Sequence, residues 1–106
     1  MARTLVNVPP GARRGDIVEI RATIAHTMET GFRPGADGRV LPRDIIRSFT
    51  CRYNGADVFS AELYSAIAAN PYIAFHLRAA DSGTLEFTWS GDNGFTQTER
   101  VAFNVA

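Results

Sequence analysis

Cysteine is almost missing from this 106-residue chain: the single one, Cys51, excludes an internal disulfide and leaves the fold to be held by packing alone. A lone thiol also says little about redox compartment. Surplus charge is missing too. Eleven basic and eleven acidic residues cancel, which argues against nonspecific binding to nucleic acid or an anionic membrane, since both need excess positive charge. The same neutrality lowers colloidal repulsion and eases association with a partner. No apolar run approaches a membrane span. The opening Met1-Ala2-Arg3-Thr4-Leu5-Val6-Asn7-Val8-Pro9-Pro10 has too short an apolar part, and no cleavage pattern, for a signal peptide. On these grounds the chain alone is expected to stay in the cytoplasm. Repeats, low-complexity tracts and linkers are lacking as well, so the expectation is one domain over 1–106, long enough for a core without staples.

What is there is alternation. Thr4 to Val8 reads as a short strand stopped by Pro9-Pro10-Gly11, because proline cannot donate to a ladder. Ala12 to Gly15 reads as a basic turn. From Asp16 to His26, Val18, Ile20, Ala22 and Ile24 point one way and Glu19, Arg21 and Thr23 the other, the period of two of a half-buried strand. His26 falls on the apolar side at its end. Between Thr27 and Asp44 lie Gly31, Pro34, Gly35 and Gly38, an irregular stretch with turn chemistry at Pro34–Gly38 and of a length that is often functional. A strand is expected from Asp44 to Tyr53, with Ile45, Arg47, Phe49, Cys51 and Tyr53 on one face and Ile46, Ser48, Thr50 and Arg52 on the other.

Asn54-Gly55 signals a tight hairpin with positive φ at both turn residues, returning as a strand from Asp57 to Leu63. The alanine-rich Tyr64–Pro71 reads as one helical turn ended by Pro71. Tyr72 to Arg78 alternates with Ile73, Phe75 and Leu77 inward. After the Asp81-Ser82-Gly83 turn, Leu85, Phe87 and Trp89 form a further inward set. Gly91-Asp92-Asn93-Gly94 turns the chain into a last strand, Phe95 to Val105. About seven short antiparallel strands with regularly spaced turns predict an all-β protein, an immunoglobulin-like β-sandwich lacking the usual cysteine pair.

The residues suggest several chemistries and assemble none. His26, Met28, Cys51 and His76 match the ligand types of a blue-copper site, but Cys51 is mid-strand, Met28 lies far upstream of it and His76 sits within another strand. Nucleophilic catalysis needs a base oriented on its nucleophile, and Cys51, between Phe49 and Tyr53, reads as a packed thiol. Glu29 and Arg33 read as a local ion pair holding a loop. The Asp37-Gly38 and Asp92-Asn93-Gly94 turns lack the oxygen density calcium requires. No phosphate-cradling glycine loop leads into a helix, and basic and aromatic residues do not interleave as in nucleic-acid binders. Binding remains. Arg13, Arg14, Arg33, Arg39 and Arg43 lie in expected loops, and Met28, Phe32 and Arg33 are types that anchor interfaces.

The run His26-Thr27-Met28-Glu29-Thr30-Gly31-Phe32-Arg33 resembles the hallmark H-x-M-E-T-G-x-R of the Z subunits of the bacterial sulfur-oxidising (Sox) carrier complex. So do Pro42-Arg43-Asp44-Ile45-Ile46, Cys51-Arg52-Tyr53-Asn54-Gly55, Ala68-Ala69-Asn70-Pro71 and Trp89-Ser90-Gly91-Asp92-Asn93-Gly94, in order over nearly the whole chain. The resemblance implies an immunoglobulin-like sandwich that pairs with a Y subunit as a heterodimeric carrier in thiosulfate oxidation. Sulfur intermediates ride on a cysteine in a Gly-Gly-Cys-Gly-Gly arm of the Y subunit, where other Sox enzymes load, oxidise and hydrolyse them through transient contacts. It further implies a non-catalytic chain without metal or cofactor, working in the periplasm without its own signal and exported with the Y subunit; this overrides the cytoplasmic expectation. The chain ends Ala102-Phe103-Asn104-Val105-Ala106 with no such arm, so Cys51 is not expected to be the carrier thiol. The expected partner-binding residues are His26, Met28, Glu29, Thr30, Gly31, Phe32 and Arg33, facing either the Y subunit and its arm or the partner enzymes. A free-standing binding sandwich and a cupredoxin-like metal protein are the alternative readings.

Overall fold

Alternation becomes seven strands in the computed structural model, which describes residues 2–106. They are β1 (Thr4–Asn7), β2 (Ile17–Ile24), β3 (Ile46–Tyr53), β4 (Ala56–Glu62), β5 (Tyr72–Arg78), β6 (Gly83–Gly91) and β7 (Thr96–Phe103). A three-stranded sheet, β1-β2-β5, packs on a four-stranded sheet, β4-β3-β6-β7, and all five pairings are antiparallel. This is the immunoglobulin-like sandwich that the alternation predicts. Among the described residues no helix is long and apolar enough to cross a membrane.

The inward sets fill the space between the sheets. Ile20, Ala22 and Ile24 of β2, Phe75 and Leu77 of β5, and Leu85, Phe87 and Trp89 of β6 are all buried. Phe49 is the centre of the core: its ring centroid lies 5.2 Å from Trp89, 6.1 Å from Phe59 and from Phe87, and 6.2 Å from Phe75. Phe59 and Phe75 stack at 4.4 Å and 8°, tying β4 to β5 across the sandwich. Trp89 is buried with its indole N–H unpaired among the described residues. That costs on the order of 1–3 kcal/mol, which the roughly 150–250 Å² of ring area removed from water outweighs at about 25 cal/mol per Å². Across the β1–β7 side the seam is polar. Gln97 exchanges two hydrogen bonds with the Ala2 backbone, at 2.9 and 2.6 Å, and the Thr4 hydroxyl donates to Glu99 at 3.0 Å.

Asn54 and Gly55 turn β3 into β4 with φ of 50° and 85°, the conformation the tight hairpin needs. Two local readings are corrected. Tyr64–Pro71 is not helical: its one turn bond runs from the Ile67 N–H to the Tyr64 carbonyl. The backbone there pairs with the end of β2 instead. The Asn70 N–H donates to the His26 carbonyl at 2.8 Å, the Asn70 side chain accepts from the His26 N–H at 3.0 Å, and the Pro71 carbonyl accepts from Ile24. One turn of helix is too short to repay its own nucleation, so those external partners win. Proline's missing N–H also helps to end the β2–β5 ladder, so β2 stops at Ile24 rather than His26.

The second correction concerns Arg47. It does not share a face with Phe49 and Cys51; Ile46 is buried and Arg47 is exposed. Opposite β6, Ile46 pairs with Gly91 and Ser48 with Ser90, so two residues of β3 face one of β6. Arg47 is the extra residue of a β-bulge, which reverses the inward parity on either side of it.

Candidate functional site

Beyond β2 the chain is held by a sequence of specific bonds rather than by a ladder. His26 is half-buried, edge-on to Phe95 at 5.3 Å, and its Nδ1 accepts the Met28 N–H at 3.0 Å. Met28 itself turns inward. It is 4% exposed, its Sδ accepts the Ile46 N–H at 3.3 Å, and its φ of 53° is left-handed, a conformation costing a non-glycine residue about 1–2 kcal/mol. The neighbouring bonds impose that conformation. Glu29 and Asp44 exchange backbone hydrogen bonds at 2.9 and 2.8 Å, pinning the corner to the entry of β3.

Gly31 has a φ of 88°, and a Cβ there would lie 2.9 Å from the Cβ of Arg43. Both reasons call for glycine. The Thr30 hydroxyl accepts the Phe32 N–H at 3.1 Å, and the Thr30 carbonyl accepts the Ser65 hydroxyl at 3.0 Å. The Glu29 carboxylate takes both Nη2 and Nε of Arg33, at 2.5 and 3.3 Å, which holds its carboxyl below the usual range. Past this point the chain forms a small hairpin, with the Leu41 N–H on the Arg33 carbonyl and Pro34 bridged to Val40.

The seven expected residues thus divide. Met28 and Gly31 build the corner from within, Glu29 and Thr30 stitch it together, and His26 is half-presented. Phe32, at 81% exposed, and Arg33, at 65%, are the two that reach solvent. Among the other expected loop cations, Arg14 pairs with Asp81 and Arg43 with Asp92. The metal-type residues are not brought together: Cys51 is in the core, Met28 is bonded to Ile46, and His76 lies beside Glu19 at 3.8 Å. Among the described residues no three His, Cys, Asp or Glu side chains converge as metal ligands. Burial pushes the Cys51 thiol up to about 12, so at neutral pH it is not a thiolate and is a poor nucleophile.

Sequence reasoning missed Asp92. Read as a turn residue, it is the hub that locks the corner's floor. Its side chain is 13% exposed and takes Nε and Nη2 of Arg43 at 2.9 Å each, the Ile45 N–H at 3.1 Å, and Nε of Arg47 at 3.3 Å. These partners lie 45 to 49 residues away along the chain, so no local signal marks them. The Arg43 hydrogen bonds hold the Asp92 carboxyl below its usual range, helped by the Ile45 N–H. A carboxyl depressed on folding stabilises the fold above its unfolded value, and that contribution is lost as pH falls through the folded value. Thermal melts are therefore expected to drop as pH falls below about 4, with a shallower drop in Asp92→Asn; equal acid slopes would remove Asp92 as the cause.

Four of the five sequence blocks that carry the resemblance meet at this end of the sandwich. The 26–33 corner packs on Arg43 and pairs with Asp44, Asn70 is bonded to His26, and Asp92 is bonded to Arg43 and Ile45. The class defined by the fold and this corner is an immunoglobulin-like domain bearing a structured loop. Solved structures share that fold. The superoxide reductase (neelaredoxin) from Ignicoccus hospitalis superposes with a TM-score of 0.75 at 15% identity, over 99% of this chain and 82% of that one. Two single-substitution forms of the same reductase give 0.75 and 0.74, over 99% and 97% of this chain and 81% and 79% of theirs, at the same 15% identity. Identity this low establishes the common architecture alone. No curated protein sequence matches the chain. The profile of the sulphur oxidation protein SoxZ matches residues 6–102, and the chain belongs to that family. It is thereby a component of the Sox system of sulfur oxidation.

Proposed function

We propose that this chain is the non-catalytic subunit of a heterodimeric SoxYZ sulfur carrier in thiosulfate oxidation. It scaffolds a SoxY-type subunit whose C-terminal cysteine bears the covalent sulfur intermediates, and helps present that cysteine to the other Sox enzymes. The observation that carries the reading is the SoxZ family match over nearly the whole chain. Two features of the chain support it. Cys51 is buried and protonated at neutral pH, so this chain's own thiol is a poor acceptor for sulfur. The rigid corner also holds an exposed aromatic, Phe32, beside a guanidinium, Arg33, already oriented by Glu29; pre-ordered side chains of these types make strong interface anchors. On this reading the protein works in the periplasm and is exported together with the Y subunit. His26, Met28, Glu29, Thr30 and Gly31 shape the surface that Phe32 and Arg33 present.

Co-expression with the SoxY-type subunit and native mass measurement test the pairing. A 1:1 complex, burying on the order of 1,600 Å² or more, with sulfur adducts only on the Y subunit, is the expected result. A monomer that never retains SoxY overturns it. In the same preparation a Phe32→Ala/Arg33→Ala pair is expected to weaken either SoxY affinity or the rate of sulfur loading by the Sox enzymes by roughly 10- to 100-fold. Both quantities unchanged would remove the corner from the interface.

A further inference from the structure

Beside the corner, on the outer face of the four-stranded sheet, is a recess of about 450 Å³. It is lined by Arg43 and Arg47, by Ser48 and Ser90, and by Glu62, Leu63 and Tyr64. The register explains the arrangement: Ser48 is directly opposite both Ser90 and Glu62, on the outward face of its neighbours in the sheet. Arg47 reaches the recess only because the bulge turns it out of the inward row.

Charge and bonding within the recess are uneven. Arg43 and Asp92 neutralise one another, with Nε and Nη2 of Arg43 committed to that carboxylate. Arg47 is ion-paired with Asp92, its Nε 3.3 Å from Oδ1. Among the described residues its two terminal nitrogens make no hydrogen bond, and neither do the hydroxyls of Ser48 and Ser90. Glu62, which also lines the recess, accepts the Tyr64 hydroxyl at 2.7 Å. The chain has arginine but no lysine, and a guanidinium fork matches the paired oxygens of a carboxylate or sulfate group as an ammonium does not.

We propose that this recess binds an oxyanion, a carboxylate or sulfate-type group, with the free end of Arg47 and the Ser48 and Ser90 hydroxyls as donors. The volume exceeds that of a bare ion many times over and falls within the range of ligand pockets, about 300–1,000 Å³. The anionic group is therefore carried on a larger molecule, either a small ligand or a protein side chain. Arg43 is a positioning residue: it shares the single Asp92 carboxylate with Arg47, so two guanidiniums face one carboxylate there. Glu62 repels the ligand and sets an upper limit on its affinity. The inference does not depend on pairing with SoxY.

The test is a titration of the isotopically labelled protein, followed by the amide signals of Ser48 and Ser90 and the side-chain signal of Arg47. Sodium sulfate and N-acetyl-aspartate amide are added separately, with chloride adjusted to hold ionic strength constant, since screening alone shifts exposed charges. Saturable millimolar binding of either probe at these three residues is expected. It should weaken by about tenfold or more in Arg47→Gln and strengthen severalfold in Glu62→Gln. Binding by sulfate assigns the site to free small ligands, and binding by the aspartate derivative alone assigns it to a protein carboxylate. Absence of saturation with both probes, or equal binding by wild type and Arg47→Gln, overturns the proposal. Arg47 is largely exposed, so its replacement is expected to fold, and the opposite response of Glu62→Gln guards against reading a structural loss as a binding loss.

Discussion

A Phe49→Ala variant is expected to lose about 3–5 kcal/mol of folding stability, the upper range for truncating a core aromatic. Phe49 is fully buried and is in ring contact with residues of three other strands, Phe59 of β4, Phe75 of β5, and Phe87 and Trp89 of β6. Two of these, Phe59 and Phe75, already stack face to face at 4.4 Å. A domain of this size has on the order of 5–15 kcal/mol in total, and with a single cysteine there is no disulfide to limit the unfolded state. Urea unfolding followed by Trp89 fluorescence should show a much lower midpoint at nearly unchanged slope. A loss below about 1 kcal/mol would mean that the sheets close over the site, and that the aromatic cluster is not the centre of the core.

Gly91→Ala is the second large expected effect, and its cause is space rather than backbone freedom. Gly91 is extended, with φ of −159° and ψ of −163°, a conformation open to any residue. A Cβ there, however, would lie 2.3 Å from the Ile45 carbonyl oxygen and 2.8 Å from the Ile46 Cα. Both obstacles are backbone, so no rotamer change relieves them, and β3 must move off β6 where Ile46 pairs with Gly91. The expected cost is at least the roughly 1–3 kcal/mol typical of overpacking. Its location adds a second signature. The Gly91 N–H donates to Phe95, and the adjacent Asp92 holds Arg43, Arg47 and the Ile45 N–H, so the shift should disturb the corner as well as the sheet. Amide signals of residues 28–33 and 43–48 are expected to move together with those of 89–95. A change confined to the nearest neighbours of Gly91, with stability kept, would show that the β3–β6 contact is softer than its geometry implies.

The outline of the molecule was legible because strand periodicity is a local property. Residue alternation located all seven strands and the inward sets of β2, β5 and β6, since one buried face demands a period of two wherever it occurs. Asn54-Gly55 marked its hairpin for an equally local reason, both residues tolerating positive φ. Where the reading failed, the deciding partner was remote. Tyr64–Pro71 has helical composition, yet the acceptor for the Asn70 N–H is His26. The alternation around Arg47 predicts an inward side chain, yet pairing with β6 inserts a bulge and turns it outward.

The corner shows the same division. Its eight-residue run from His26 to Arg33 was recognisable as the signature of its family. Nothing in that run distinguishes Met28, which is buried, from Phe32, which is almost wholly exposed. That difference arises because the Ile46 N–H lies where the Met28 sulfur can accept it, while the Thr30 hydroxyl and the Arg43 side chain turn the chain outward four residues later. Periodicity and turn chemistry therefore determined the class of fold, while the motif blocks determined the family and the region of interest. Which residues of that region reach solvent, and that Arg43, Arg47 and Asp92 pack with it, was decided by tertiary packing, because those contacts join segments up to 49 residues apart that carry no mark of one another in the sequence.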